Sequence, residues 1–325
     1  MKKLFILLSL LTLLLFANDD RPPVRYDYLA KNEVQQFVHM MVKKHHFSKS
    51  YLQKVLQHTK LDRDTLARYS GKFKRNSTIG TWERFKLHVI NPQTFDEAKA
   101  FKASHLATLK KAAQKYNVDE NYIVGFLGVE SHFGNYTGDY NVLDALATLA
   151  FHKNRMQKLF KSELKHLFLF AREKHYDITQ LQGSFAGAMG CVQQLPSVAR
   201  KFNEDFDGDG ASVWDIEDCI GSIAKFMHHH HWKNGNVVAV PTNFKGKRFK
   251  TCKTTHKKTL SLKQIHHAGI VESKAFNEPR AYLLKLRHKD HDEIWIAGKN
   301  FRVLTKYNNA TTYGMAIHLI AKAVE

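Results

Sequence analysis

The sequence predicts a mainly α protein with α+β character, a helical body that carries a small antiparallel β insertion near its C-terminus. Three observations predict it. Apolar residues recur at helical spacing from Glu33 towards Val240, the period shortens to that of strands beyond Gly235, and helical spacing returns from Tyr313 to Val324. The 325 residues are 43% hydrophobic, enough to bury a core of domain size or larger.

Each element follows from its own pattern. Val34, Phe37, Val38, Met41 and Val42 fall on one helical face, and Leu52, Val55 and Leu56 define a second helix after Ser48. Phe95 to Tyr116 reads as one longer helix with Leu106, Leu109 and Ala113 on its apolar side. The chain then turns at Asn117-Val118-Asp119, where Asp119 can cap the next helix, which ends in Glu130. Leu143–Phe151 and Met156–Lys174 are further helices, with Asp144 placed to cap the first and Leu164, Leu167, Phe168 and Ala171 inside the second. Val237–Val240, Tyr282–Arg287, Ile294–Ile296 and Phe301–Leu304 read as the short strands of the insertion. The expected division is a signal peptide at 1–17, a helical body at 18–240, a β-containing subdomain at 241–305 and a C-terminal helix at 306–325 that packs back on the body. No internal repeat and no low-complexity linker interrupts it.

The first segment has a basic start at Lys2-Lys3, an apolar run from Leu4 to Phe16 that is short for a membrane span, and Ala17 as a small residue at a cleavage point. An exported, periplasmic protein is expected, soluble or loosely membrane-associated, since no cysteine stands at that junction to take a lipid. Loss of Lys2 and Lys3 leaves +18 of the formal +20 charge, which points to a polyanionic partner. Export, the absence of any RNA-binding signature or zinc finger, and the even spread of Lys and Arg exclude nucleic acid. Cys191, Cys219 and Cys252 allow one disulfide without choosing the pair, and a disulfide-free chain is equally acceptable.

Two blocks carry candidate chemistry. In Ile123-Val124-Gly125-Phe126-Leu127-Gly128-Val129-Glu130-Ser131-His132-Phe133-Gly134, one carboxyl group stands at the edge of an apolar helix. Desolvation raises the pKa of such a group, which keeps it protonated near neutrality and fit to act as a general acid. The second block, Gly183 through Ser197, places three glycines at close spacing with Ser184 and Gln193 beside them. No Lys-Ser/Thr and no dinucleotide fingerprint accompanies it, so a phosphate cradle is not implied.

Taken in order, Glu130–Gly134, the run Leu143-Asp144-Ala145-Leu146-Ala147-Thr148-Leu149 and Gly183–Ser197 closely resemble the lytic murein transglycosylase B family, a branch of the lysozyme-like superfamily. The resemblance begins at Trp82-Glu83-Arg84-Phe85, resumes at Asn300–Asn308 and covers most of the mature chain. It implies a lysozyme-like helical body that cleaves the β-1,4 bond between N-acetylmuramic acid and N-acetylglucosamine of peptidoglycan, leaving a 1,6-anhydro end. Glu130 would first protonate the leaving oxygen and then, as carboxylate, deprotonate the sugar's own C6 hydroxyl. An intramolecular nucleophile needs no activated water, so one carboxylate suffices where ordinary glycosidases use two. By the same resemblance Ser184, Gln193, Tyr307, Asn308 and Tyr313 border the sugar site, and Arg155 meets the anionic peptide. Phe85 and Phe226 stand where tyrosines are common, Met156 replaces a second arginine, and Cys191-Val192 replaces Tyr-Gly. Stacking survives a Tyr-to-Phe change, but the hydroxyl hydrogen bond does not. Peptidoglycan strands, together with other cell-wall enzymes, are the expected partners of a monomer.

Asp205-Phe206-Asp207-Gly208-Asp209-Gly210 forms the front half of a calcium loop, whose twelfth position is Ile216 and cannot ligate. The resemblance closes the loop with Asp218, with Asp215 the nearer alternative and Ala211 offering its carbonyl. A structural Ca2+ and no catalytic cofactor are expected. His228–His231 point in different directions on a helix, so a metal there is not expected. Two other readings remain: a hydrolysing muramidase using Asp139 or Asp144 as second carboxylate, and a non-catalytic wall-binding protein.

Overall fold

The computed structural model describes residues 21–69 and 80–325, so the export segment read at 1–17 lies outside the described residues. Among them the chain is mostly helical with small antiparallel sheets. Strand β1 (Val24–Arg25) pairs with β2 (Lys60–Leu61) beside helices α1 (Asn32–His45), α2 (Lys49–His58) and α3 (Arg63–Tyr69). Then come α4 (Thr81–Val89), α5 (Pro92–Ser104), α6 (Leu106–Tyr116) and α7 (Glu120–Ser131). Strand β3 (Tyr140–Asn141) leads straight into α8 (Val142–Phe151), followed by α9 (Gln157–Glu173) and β4 (Gln182–Gly183), which returns to pair with β3. Helices α10 (Pro196–Phe202) and α11 (Ile216–His229) complete the first stretch.

The larger sheet has strand order β5-β8-β7-β6, formed by β5 (Ala239–Pro241), β6 (Thr255–Ser261), β7 (Arg280–Arg287) and β8 (Asp292–Ala297), with α12 (Leu262–His267) after β6. All its pairings are antiparallel, and it buries Val240, Leu283, Ile294 and Ile296 in a small core of its own. Helices α13 (Lys299–Tyr307) and α14 (Thr311–Ala323) then return to the main core around α7. A separate core joins α1, α2, α8 and α9 through Phe37, Leu52, Leu146 and Phe168.

Glycine decides how closely α14 approaches α7. A Cβ on Gly125 would stand 2.6 Å from the Ile317 carbonyl oxygen, so only the bare backbone lets the two helices seat. Asp119 caps α7, its carboxylate accepting from the Asn121 amide at 2.9 Å.

Three expectations are corrected, and one open choice is resolved. Phe95–Tyr116 is two helices broken at His105, with Leu109 and Ala112 inward and Leu106 exposed. The break has a tertiary cause: the His105 ring packs on Phe101 and reaches Glu217 at the start of α11, 3.3 Å away. Phe301–Leu304 is not a strand but part of α13, where Phe301, Leu304 and Thr305 share a buried helical face. Asp144 does not cap α8; β3 runs on into the helix, so Asn141 accepts from the Asp144 amide and Asp144 itself accepts from the Lys60 amide at 2.7 Å. The cysteines do form a disulfide, Cys191–Cys219, leaving Cys252 as the free thiol.

Candidate active site

Glu130 stands in the last turn of α7, whose residues Tyr122 to Val129 are all buried. Surrounding protein pushes its carboxyl up to about 8, and the hydrogen bond donated by the Tyr313 hydroxyl to Oε1 pulls partly the other way. The negative end of the α7 dipole also disfavours the carboxylate there. The side chain nonetheless keeps partial solvent access, as a proton donor to an incoming ligand requires.

Aromatic rings build the wall beside it. Tyr307 and Tyr313 are parallel at 6.4 Å, and Phe126 meets the Tyr307 ring edge-on at 5.3 Å. Phe226 closes on Tyr307 at 4.8 Å. The Tyr307 hydroxyl donates to the Val192 carbonyl, so the wall is tied to the glycine-rich block. Burial, with the Glu130 charge second, holds both phenols well above the usual tyrosine range, so they remain hydrogen-bond donors.

The glycine-rich block lies against the end of α7. A Cβ on Gly190 would stand 1.7 Å from the Val213 carbonyl oxygen, and its φ of +72° also requires glycine. Gln193, at φ +47°, donates from Nε2 to the carbonyls of Thr137 (2.7 Å) and Gly190 (2.9 Å). Ser184 is buried and accepts from the Ala188 amide at 3.1 Å, closing the turn before it. The Cys191–Cys219 disulfide anchors the block to α11.

The structure therefore brings Glu130, Tyr313, Tyr307 and Phe226 into one group, with Gln193 on the adjoining loop. Asn308 is buried just beyond α13. Phe85 stacks on Trp82 in the main core and does not join that aromatic group. Arg155 is exposed ahead of α9 and acts electrostatically on Tyr69. Sequence reasoning passed over Ser131, which donates to the Cys191 carbonyl at 2.5 Å and accepts from the Gly134 amide at 2.9 Å. Its signal was present, since a hydroxyl directly after the acid at a helix end commonly bonds backbone. A cavity of about 560 Å³ lined by Tyr122, Trp232, Trp295 and His318 shares no residue with this group.

Among the carboxylates of the acidic loop, Asp205, Asp207 and Asp209 converge within 4.8 Å of one another. Repulsion from Asp207 raises the carboxyl of Asp209. Asp218 is fully buried and accepts from the amides of Phe206 and Ser212, both at 2.6 Å, while Asp215 caps α11 through the amides of Glu217 and Asp218.

A family model described as transglycosylase SLT domain matches residues 30–322. The chain belongs to that family. It is 34% identical over 310 residues to membrane-bound lytic murein transglycosylase B of Escherichia coli, covering 92% of this chain and 84% of that protein. Its fold matches the Escherichia coli lytic transglycosylase Slt35 in complex with bulgecin A at TM-score 0.85 and 34% identity, covering 93% of this chain and 95% of that one. The same enzyme solved with calcium matches at TM-score 0.83 and 33% identity, covering 93% and 95%. Soluble lytic transglycosylase SltB1 of Pseudomonas aeruginosa matches at 0.79 and 29%, covering 90% of this chain and 98% of that one. As a member of the transglycosylase SLT family, the chain is an enzyme, and its lysozyme-like fold is that of these relatives.

Proposed function

We propose that the protein is a lytic transglycosylase that cleaves the β-1,4 bond between N-acetylmuramic acid and N-acetylglucosamine, with Glu130 as acid and then base. The observation that carries this reading is a lone, desolvated carboxyl held up to about 8 beside a tyrosine donor. Glu130 gives its proton to the leaving glycosidic oxygen as the C1–O bond breaks. The carboxylate, steadied by the Tyr313 hydroxyl, then takes the C6 hydroxyl proton as O6 bonds to C1. The proton count closes and no water is consumed.

Hydrolysis would need one further carboxylate beside Glu130, and its two candidates stand in different settings. Asp139 is exposed on the loop after α7, and Asp144 is buried on the Lys60 amide. Ser184 and Gln193 shape the loop that faces the sugar, Tyr307, Asn308 and Phe226 its aromatic and amide border, and exposed Arg155 meets the peptide stem. Phe85 acts through core packing.

The acidic loop is proposed as a structural calcium site. Its donors are all oxygen, the mutual repulsion of Asp207 and Asp209 is what a divalent cation relieves, and a relative has been solved with calcium. Asp205, Asp207, Asp209 and the Ala211 carbonyl would hold the ion, with Asp218 bracing the loop through backbone amides. The basic surface, the export segment and the wall substrate fit a periplasmic protein working on anionic polymer. Among the described residues no helix is long and apolar enough to cross a membrane.

Digestion of purified sacculi tests the catalytic reading. Wild type should release fragments whose mass is one water below the hydrolytic product, and Glu130→Gln should release none. Equal solubilisation by both proteins removes the assignment.

A further inference from the structure

Both faces of the β5–β8 sheet are covered, by different layers. Leu284, Leu286 and Ala297 press one face onto the main core, while Ala281, Leu283, Ile294 and Ile296 meet a cover built from Phe249, Ile265 and Ile270. That cover, a loop over 243–253 together with α12, carries exposed Lys245, Lys247, Lys250, Lys253 and Lys263. Edge strand β6 adds exposed Lys257 and Lys258, and Lys285 of β7 reaches the Phe249 carbonyl at 3.5 Å. We propose that this outer layer docks the protein on a bilayer surface rich in anionic phospholipid.

Lys and Arg are spread along the chain, but the acids are not. Residues 241–305 hold fifteen Lys and Arg against five Asp and Glu, so a fifth of the chain carries +10 of the formal +20. No acid occurs between Asp218 and Glu272. The five acids of the subdomain are all engaged elsewhere. Asp292 pairs with Arg248 at 3.0 Å, Glu272 with His266 at 2.8 Å, and buried Glu278 accepts from the Lys299 amide at 3.1 Å. Asp290 and Glu293 face His291 and His288 in the β7–β8 turn. Among the described residues, none of the seven lysines on the cover and β6 pairs with a carboxylate.

Lysine on an edge strand hinders pairing with another chain, which accounts for Lys257 and Lys258 but not for the five on the cover. A lysine is a flexible point charge without the fork that fits one planar anion, so many in one layer suit a plane of phosphate headgroups. An apolar side chain favours lipid over wall polymer. Val271 is 47% exposed, and Asn243 pins it beside the cover: its carbonyl accepts from the Asn243 amide and its amide donates to Asn243 Oδ1, both at 2.9 Å. Phe244 comes next, half-buried with its ring edge-on to Phe249 at 5.4 Å. A hydrated polymer gives Val271 no burial, whereas the headgroup boundary does. The opposite face of the sheet joins the core that holds Phe126, Tyr307 and Tyr313, so docking leaves Glu130 on the body side.

The test sediments the mature chain, residues 18–325, with vesicles. One set is phosphatidylethanolamine with about one-third phosphatidylglycerol, the other neutral phosphatidylcholine. Binding is expected to the first only and is released by about 0.5 M salt. Each lysine near an anionic surface is worth about fivefold in partitioning. Lys245→Gln, Lys247→Gln, Lys250→Gln and Lys253→Gln combined should therefore lose at least about 100-fold, and Lys257→Gln with Lys258→Gln about 10- to 25-fold. Lys43, Lys44, Lys49 and Lys54, exposed on α1 and α2, provide the charge-matched control. Their combined replacement by Gln should lose no more than about fivefold. All variants should keep the wild-type Tm. Sedimentation with neither vesicle, equal sedimentation with both, or equal losses in the two quadruple variants overturns the proposal. So does capture by purified sacculi that the first quadruple variant abolishes while its vesicle binding is unchanged.

Discussion

Replacing Glu130 by Gln removes a titration while keeping shape and the Tyr313 contact, so it isolates what the site does to that carboxyl. The unfolded chain ionises Glu130 near its ordinary 4.5, whereas the folded chain holds the proton to about 8. Below pH 4.5 both states are protonated and burial carries no ionic cost. Between those values the folded state binds the extra proton, so stability falls as pH rises, by up to about 1.4 kcal/mol per unit. Above pH 8 the full cost, on the order of 5 kcal/mol, is present in wild type and absent in Glu130→Gln. Urea unfolding at pH 5 and pH 9 measures it, and the variant should gain on wild type only as pH rises. The same proton sets turnover. Wild-type kcat/KM should fall above about pH 8, and the variant should lose at least about 10²–10⁴ in rate. A stability difference that does not change between the two pH values would refute the argument, because it would mean that the carboxyl is not held protonated by its surroundings.

Tyr313→Phe removes the bond that favours the carboxylate, so the alkaline limb of the pH–rate profile should move upward by about one unit as turnover falls. Calcium at 100 times its Kd should stabilise the protein by about 2.7 kcal/mol, read as a rise in Tm that chelator reverses and Asp207→Asn abolishes. Asp218→Asn should destabilise the protein even without calcium, because it weakens the acceptor of two buried amides. Cys219→Ser opens a link across 28 residues and should cost about 3.5 kcal/mol in urea unfolding, without involving Cys252.

The helical body was legible because its signals are local. The face of α1 and the cap at Asp119 depend on residues within two turns of each other. The acid was legible for the same reason, being the one charge after a continuous apolar run. What escaped the sequence depends on distant partners. His105 interrupts a helical pattern without any glycine or proline because Glu217, 112 residues on, engages its ring. Phe301-Arg302-Val303-Leu304 alternates enough to pass as a strand, yet Phe301 is held in a helix by packing against Gly314 of α14. The cluster of His288, His291 and Glu293 exists only once the β7–β8 register is set, and a turn-like string of charges gave no hint of it.

The acid's environment is assembled from segments that the chain visits far apart, and each is held by a different interaction. Gly125 admits the Ile317 backbone, which seats α14 one turn from Tyr313 and so places the phenol on Glu130. Ser131 then fixes the end of α7 to the Cys191 carbonyl, and the adjacent disulfide commits that loop to α11. Tyr307 spans from α13 to Val192 and closes the remaining side. These ties carry no charge of their own, which matters, because a cation this close would pull the carboxyl down and leave it ionised at neutral pH. A raised acid therefore requires neutral fastenings, and a glycine contact, a serine, a disulfide and two phenols meet that requirement. The same logic explains why a basic protein can keep its catalytic proton: its lysines and arginines are spread elsewhere, and Glu130 feels burial first and one hydroxyl second.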